Sequence, residues 1–444
     1  MTTRIIGELH FYSTRKYNNG KKECFQFVSL DHTNKNKYLV AFKNKSKYTN
    51  NIYVIIEELS RKNSNKFNKF KYGKLIKVIG QIDDFNIKYE VLFHKYNFIT
   101  KKQDFELIED TNYRLDLRNY ETISIDPKGS RDIDDALSIV DNKIYIHIAD
   151  PTSYIKLKPM MRYSTIYNHR VVNMYNDDIG YDICSLIQNK TRNAITFIYD
   201  IDEDKILSTK LSIIKVNKNL SYDDSDPIID KLIDLMKDKL IDCDEEDLTH
   251  KIIEKLMVSV NLYTGHHLAI NDTGIFRNYE IADVPTLSKN EELNKFLTII
   301  KGNSAEYSLI PKRHEYLRLN NYCHFTSPLR RYVDTLNHLI FKHFILGISV
   351  KIPLINDELL EIINEFEKNH RRLNRDKNLL DLQKEVGDEI VNFEGYIIGE
   401  HSVMLSAKKN IVYVRDIDSK FSLYDKVKLV AYTMKNKFHF FIRM

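Results

Sequence analysis

The chain has 444 residues, 43% of them hydrophobic, and sets 67 Lys and Arg against 62 Asp and Glu for a formal net charge of +5. That length predicts two or three domains with real cores, and so mild a basic balance does not by itself establish nucleic-acid binding. Cys24, Cys184, Cys243 and Cys323 show no CxxC or Cys/His metal spacing and read as buried thiols of a reducing compartment. With no apolar signal core at Met1-Thr2-Thr3-Arg4 and no apolar run of bilayer length, a soluble cytoplasmic protein with no membrane partner is expected.

Residues 1 to about 107 alternate β-branched and aromatic residues with short polar turns, as in Tyr38-Leu39-Val40-Ala41-Phe42, Asn51-Ile52-Tyr53-Val54-Ile55-Ile56 and Leu75-Ile76-Lys77-Val78-Ile79. A small β-barrel of the OB or cold-shock kind is predicted there. Within it, Arg61 to Lys74 interleaves Lys62, Lys66, Lys69, Lys71 and Lys74 with Phe67, Phe70 and Tyr72. Such a stretch suits tracking a phosphate backbone while stacking bases, and equally an exposed linker. Glu121 to Ile125 alternates as a half-buried strand, and Pro127 and Gly129 then force a turn. Ala136 to Val140 and Lys143 to Ile148 read as two more strands around Asp141-Asn142. Helical patterns dominate after residue 226, including Ile252 to Asn261. Ser327-Pro328 predicts a helix start with Arg330 and Arg331 in its first turn. His370-Arg371-Arg372-Leu373-Asn374-Arg375 continues a later helical pattern, and strands return at Phe393 to Ile398, Ser402 to Leu405, Ile411 to Val414 and Lys426 to Tyr432.

The chemistry concentrates between Ile125 and Ala136, where Asp126, Asp132, Asp134 and Asp135 fall within ten residues at a sheet turn and face one rim. Carboxylates so close repel unless protonated or neutralised, and hard oxygen ligands suit Mg²⁺ or Mn²⁺ better than zinc. Two such cations activate a water, stabilise a leaving oxygen and offset the charge of a scissile phosphate. Taken alone, the run also reads as a solvated acidic turn. An EF-hand is excluded, because Glu is missing at the twelfth loop position and Ile133 and Ala136 interrupt the ligand pattern. Arg330, at the predicted helix start, can grip a phosphate through two parallel hydrogen bonds, although an isolated Arg-Arg pair equally describes a solvated face.

The spacing of the four aspartates resembles the signature of the RNase II / RNB exoribonuclease family. Arg114-Leu115-Asp116-Leu117-Arg118 and His147-Ile148-Ala149-Asp150 resemble the strands flanking it in that family. Tyr322-Cys323-His324-Phe325-Thr326-Ser327-Pro328-Leu329-Arg330-Arg331-Tyr332, followed by Asp334 and His338, resembles the family's second motif. Ser164-Thr165-Ile166-Tyr167, leading to Met174 and Cys184-Ser185-Leu186, and Leu220-Ser221-Tyr222-Asp223 are similar to segments that carry base-contacting tyrosines. Stacking on Tyr167 and Tyr222 would suit an enzyme indifferent to sequence.

The resemblance covers roughly residues 110 to 385 and implies an α+β multidomain protein. A mixed α/β RNB catalytic domain over residues 108–388 would be flanked by an OB-like barrel over 1–107 and a reduced S1-like barrel over 389–444. It implies a 3′→5′ exoribonuclease that hydrolyses single-stranded RNA to nucleoside 5′-monophosphates with Mg²⁺, or Mn²⁺, as two ions. Metal ligation falls to Asp126, Asp132, Asp134 and Asp135, and catalysis to Asp134, Arg330 and Asp132. RNA contacts fall to Tyr167, Tyr222, Thr326, Ser327, Arg330 and Arg331, with Glu254 and His338 as further candidates. The segment Tyr167 to Asn176 is one residue shorter than the family line and lacks its prolines, and the stretch between Tyr222 and Ile252 is shorter than in RNase II. The glutamate of the family's helix aligns with Lys255, which leaves Glu254 as its neighbour. The implied molecule is a monomer acting alone or within an RNA degradation complex. An RNB-shaped RNA-binding protein without activity and a nuclease acting on DNA are the alternatives, the latter set by a 2′-hydroxyl contact that no sequence feature shows.

Overall fold

Apolar alternation near the start of the chain builds a sheet in the order Arg4–His10, Ile52–Glu58, Phe70–Gln81, Lys37–Ala41, Lys22–Ser29 and Tyr17–Asn19. Arg4–His10 pairs with both Ile52–Glu58 and Lys22–Ser29, so the sheet closes around Leu9, Phe27, Val40, Val54 and Ile56. A helix absent from the sequence reading, Phe85–Lys95, follows this barrel. Asp84 caps it by accepting the Asn86 N–H at 2.8 Å, and Tyr89, Val91 and Phe93 are buried. These are coordinates of a computed structural model, which describes residues 4–11, 17–19, 22–31, 33–43, 45–59, 70–98, 105–157, 163–167, 169–240, 248–280, 293–294, 297, 305–408, 410–434 and 436–443. Of the basic and aromatic stretch, Lys62, Lys66, Phe67 and Lys69 lie outside these residues, as does Cys243. Phe70, Lys71, Tyr72 and Lys74 form part of strand Phe70–Gln81, where the Lys71 ammonium bonds Glu58 at 2.7 Å.

The tail forms a second small sheet, in the order Ile411–Tyr413, Ser402–Leu405, Val391–Gly399, Lys426–Met434 and Lys437–Ile442. Its last strand was not read from the sequence. A bridge between Val414 and Phe440 joins the two edges around Val403, Leu405, Val412 and Leu429. Residues 1–99 and 368–444 make up one unit, and residues 100–367 the other, with the boundary inside helix Asp357–Val386.

The unit of residues 100–367 is built on a seven-stranded sheet ordered Lys218–Ser221, Thr122–Asp126, Asp135–Val140, Lys143–Ala149, Thr191–Asp200, Lys205–Lys215 and Leu115–Asp116. Hairpins make its centre antiparallel, and the two edge strands pair parallel to their neighbours. Ile123, Ile146, Phe197 and Ile214 pack with Leu256 of helix Leu248–Ile270 and Leu336 and Phe341 of helix Tyr332–Phe344 in one core. The molecule is thus α+β and multidomain, comprising OB-like barrels and a mixed α/β unit. Among the described residues no helix is long and apolar enough to cross a membrane.

Candidate active site

Asp126 ends strand Thr122–Asp126 and Asp135 begins strand Asp135–Val140, so the loop between them lies at one end of the sheet. Ser185 ties that loop down. Its hydroxyl accepts the Ile133 N–H at 2.9 Å and donates to the Arg131 carbonyl at 2.8 Å, while Leu186 N–H donates to Ile133 O at 3.1 Å. Ala149 N–H donates to the Asp134 carbonyl at 2.8 Å, fixing the other side of the loop to the next strand.

The aspartates meet the second motif directly. Asp134, which is buried, accepts the Leu329 N–H at 2.8 Å on one oxygen and the Arg330 Nε–H at 3.0 Å on the other. Arg330 Nη2 also donates to Ser327 Oγ at 3.1 Å. Tyr167, 45% exposed, donates its phenol to Asp132. The strand that carries Tyr167 is held in place by Thr165 N–H to Arg330 O at 2.8 Å and by the Ser164–Arg331 bridge. Residues far apart in sequence are thereby gathered around one rim.

Electrostatics mark the rim as short of positive charge. Burial pushes the Asp126 carboxyl up to about 6, against a hydrogen bond from Ser124 and the nearby Arg330, with Asp132 adding repulsion. Burial likewise raises Asp134 to about 7 despite Arg330 and the Leu329 N–H. Asp135 is raised well above the usual range by burial and then by Asp126 and Asp134. One oxygen of Asp126 is buried with no hydrogen-bond partner among the described residues. Among the described residues no group of three or more His, Cys, Asp or Glu side chains stands gathered as a ligand set. The donor chemistry nevertheless fits a hard divalent cation: the oxygens are carboxylate, crowded, and one is unsatisfied.

The other predicted residues take different places. Arg330 and Arg331 precede their helix instead of lying in its first turn. Pro328 to Arg330 form a turn, Arg331 is extended at φ −130° as the cap, and the helix runs Tyr332–Phe344. The reason is local: buried Asp334 accepts the Ser327 N–H and an Arg331 guanidinium N–H, both at 2.8 Å, and Arg331 pairs with Ser164, so the chain stays extended for one residue longer. Thr326 and Ser327 are buried. His338 sits in the core, where its Nε2 bonds Phe325 O at 2.9 Å and its ring lies 4.1 Å from that of Phe325. Tyr222 directly follows Ser221, which is paired with Asp126, and its ring lies 5.2 Å from that of His250. Glu254 is exposed on helix Leu248–Ile270, bonded to Lys251 at 3.0 Å, and has no contact with the four aspartates.

The sequence reading missed the groups that hold the rim. Arg114 and Asp150, noted only as parts of flanking segments, meet at 2.6 Å, and Lys342 bonds both Asp150 oxygens at 2.7 and 2.6 Å. Lys342, which no motif singles out, is 2% exposed. Ser185 and Asn219 likewise carry no spacing signal.

The RNB domain family model matches residues 114–239 and 230–347. The chain is similar to "Exoribonuclease 2" of Buchnera aphidicola, 24% identical over 375 residues, covering 62% of this chain and 58% of that protein. It is similar to "Ribonuclease R" of Aquifex aeolicus, 25% identical over 407 residues, covering 67% and 57%. The chain thus spans under two thirds of the length of these relatives. In fold it resembles the apo form of Mycoplasma genitalium RNase R at a TM-score of 0.75, with 18% identity over 99% of this chain and 90% of that one. It also resembles yeast Ssd1, a pseudonuclease, at a TM-score of 0.66, with 16% identity over 97% of this chain and 68% of that one.

Proposed function

The chain belongs to the RNB domain family, and from that premise we propose that it is a hydrolytic 3′→5′ exoribonuclease, dependent on Mg²⁺ or Mn²⁺, that shortens single-stranded RNA to nucleoside 5′-monophosphates. The observation that carries this reading is the union of the two motifs at Asp134, whose carboxylate is held by Leu329 N–H and Arg330 beside the crowded Asp126 and Asp135. Asp126, Asp135 and Asp132, with Asp134, are the residues that would hold a pair of divalent ions. When bound, such ions supply an activated water and offset charge on the scissile phosphate.

Arg330 steadies the phosphate during in-line displacement: one edge of its guanidinium is engaged by Asp134 and Ser327, and nearly half of its side chain is open to solvent. Tyr167 holds Asp132 in orientation through its phenol and offers its ring to a base, with Tyr222 as a second stacking face. Arg331 is spent on Asp334, so any role in RNA contact passes through the order of the Ser327–Arg330 turn. The reading takes residues 108–388 as the catalytic domain, with barrels over 1–107 and 389–444 as further RNA contacts. It places the protein in the cytoplasm as a monomer, alone or in an RNA degradation complex.

A second reading, an RNA-binding protein without activity, is favoured by the fold it shares with a pseudonuclease. A time course of 5′-labelled unstructured RNA with Mg²⁺, with EDTA and Asp134→Asn controls, separates the two. Metal-dependent shortening that Asp134→Asn abolishes while still binding RNA is the expected result. RNA that stays intact with the unaltered protein, yet bound, refutes the nuclease reading and selects the second. A DNA oligomer of the same sequence reports sugar preference.

A further inference from the structure

We infer that Asn219 is a positioning residue that locks the two halves of the aspartate cluster to each other, acting through Ser124 on Asp126 and through the Ser185–Gln188 segment on the loop of Asp132 to Asp135. The inference rests on the metal-dependent reading above. Asn219 lies on strand Lys218–Ser221, paired in register with Ser124. Its carboxamide makes three bonds, and their chemistry fixes its orientation. The Gln188 N–H can only donate, and it meets Asn219 Oδ1 at 2.7 Å. The Leu186 carbonyl can only accept, and it meets Asn219 Nδ2 at 3.0 Å. The second Nδ2 proton is directed to Ser124 Oγ at 2.9 Å.

The consequence is a relay of defined polarity. Because Ser124 Oγ already accepts from Asn219, its own proton is left to donate, and Ser124 stands two residues before Asp126 on the same strand, where it favours the charged carboxylate. Ser124 is 1% exposed, so no solvent competes for its contact with Asn219. In the other direction, Leu186 N–H holds Ile133 O, and Ser185 brackets Ile133 N–H and Arg131 O. One amide therefore connects Asp126, at a strand end, with the loop that carries Asp132, Asp134 and Asp135. Strand pairing sets the height of each carboxylate along the sheet; the loop between the strands is held by backbone bonds to Leu186 and Ala149, and Asn219 is the side chain that ties the Leu186 segment to the strand of Asp126. Residues that orient ligands in this way commonly carry a 10–100-fold effect on metal affinity.

The test is Mn²⁺ binding to the full chain, measured by calorimetry with RNA absent, alongside thermal unfolding in EDTA. Asn219→Ala, Ser124→Ala, the double variant and Asp126→Asn are compared with the unaltered protein. Each single substitution at Asn219 or Ser124 is expected to weaken Mn²⁺ binding about tenfold. The double variant should bind little worse than either single one, because both remove the same link. The unfolding temperature in EDTA should change far less than the affinity. Unchanged Mn²⁺ affinity in Asn219→Ala, additive losses in the double variant, or affinity losses that merely follow a fall in unfolding temperature overturn the positioning role while leaving the nuclease reading in place. An unaltered protein that binds Mn²⁺ no better than Asp126→Asn overturns both.

Discussion

Replacing Asp150 by Asn tests whether the site rests on a buried ionic core. Asp150 is fully buried and receives Lys342 Nζ on both oxygens, Arg114 Nη2 at 2.6 Å and the Thr152 hydroxyl at 2.7 Å. Burial alone would raise its carboxyl, but Lys342 and Arg114 outweigh that and hold it well below the usual range. Neutralising it leaves two cations buried. Arg114 keeps Asp110 and the carbonyls of Ala194 and Ser212, whereas Lys342 keeps Thr152 and the new amide oxygen but, among the described residues, no carboxylate. Stranding a charge in this way costs about 3–5 kcal/mol. With a urea slope of about 2 kcal/mol/M, the midpoint followed by far-UV circular dichroism should fall by roughly 1.5–2.5 M. Lys342→Met should cost less, since Asp150 retains Arg114. The decisive comparison is the double variant, in which no lysine is stranded: it should be more stable than Asp150→Asn alone. A loss below about 1 kcal/mol for Asp150→Asn, or a double variant less stable than it, would refute the reasoning.

Other outcomes follow from the same structure. His147 and His338 are fully buried, and burial lowers them to about 3 and about 4 respectively. An unfolded histidine takes up its proton near pH 6.5, so both residues favour the folded state above that pH. That stability is lost as the pH falls from about 6.5 toward 4, by about 2 kcal/mol per histidine at pH 5. The check is an NMR titration of the two imidazoles in the folded protein, because the raised carboxyls of Asp126, Asp134 and Asp135 shift overall stability the opposite way over the same range; a ring that takes up its proton near pH 6.5 would show that it is not held neutral. Tyr167→Ala should weaken RNA binding by about 1–3 kcal/mol in an Asp134→Asn background, while Tyr167→Phe, which keeps the ring, should not. Fluorescence anisotropy that finds the two variants equal excludes stacking at this position. Gly265 sits on helix Leu248–Ile270 where an added Cβ would lie 1.8 Å from the Asn321 carbonyl oxygen. Gly265→Ala should therefore push away the segment leading into Tyr322-Cys323-His324 and cost about 3 kcal/mol, visible as a lower unfolding temperature. An unchanged temperature would mean the two segments do not touch.

Much of this protein is local, and what is local could be read directly. Thr122–Asp126, Asp135–Val140 and Lys143–Ala149 follow from short apolar runs bounded by turn residues, although the structure buries them on both faces where the alternation of Glu121 to Ile125 predicted one, and the crowding of four aspartates is a matter of chain distance alone. The helix start after Ser327-Pro328 was misplaced because propensity describes proline's tolerance and not the pull of Asp334, seven residues on, on the Ser327 N–H. Which positions are candidates for the site's chemistry was therefore legible in the sequence. The tertiary structure decided what holds them: that Arg330 turns onto Asp134 across 196 residues, that Lys342 points inward onto Asp150, and that a single Asn219 reaches Ser124 and Leu186 together. A carboxylate's identity is written in one residue. Its orientation depends on partners whose distance is fixed only when the sheet and the helices pack, and no spacing along the chain encodes that distance.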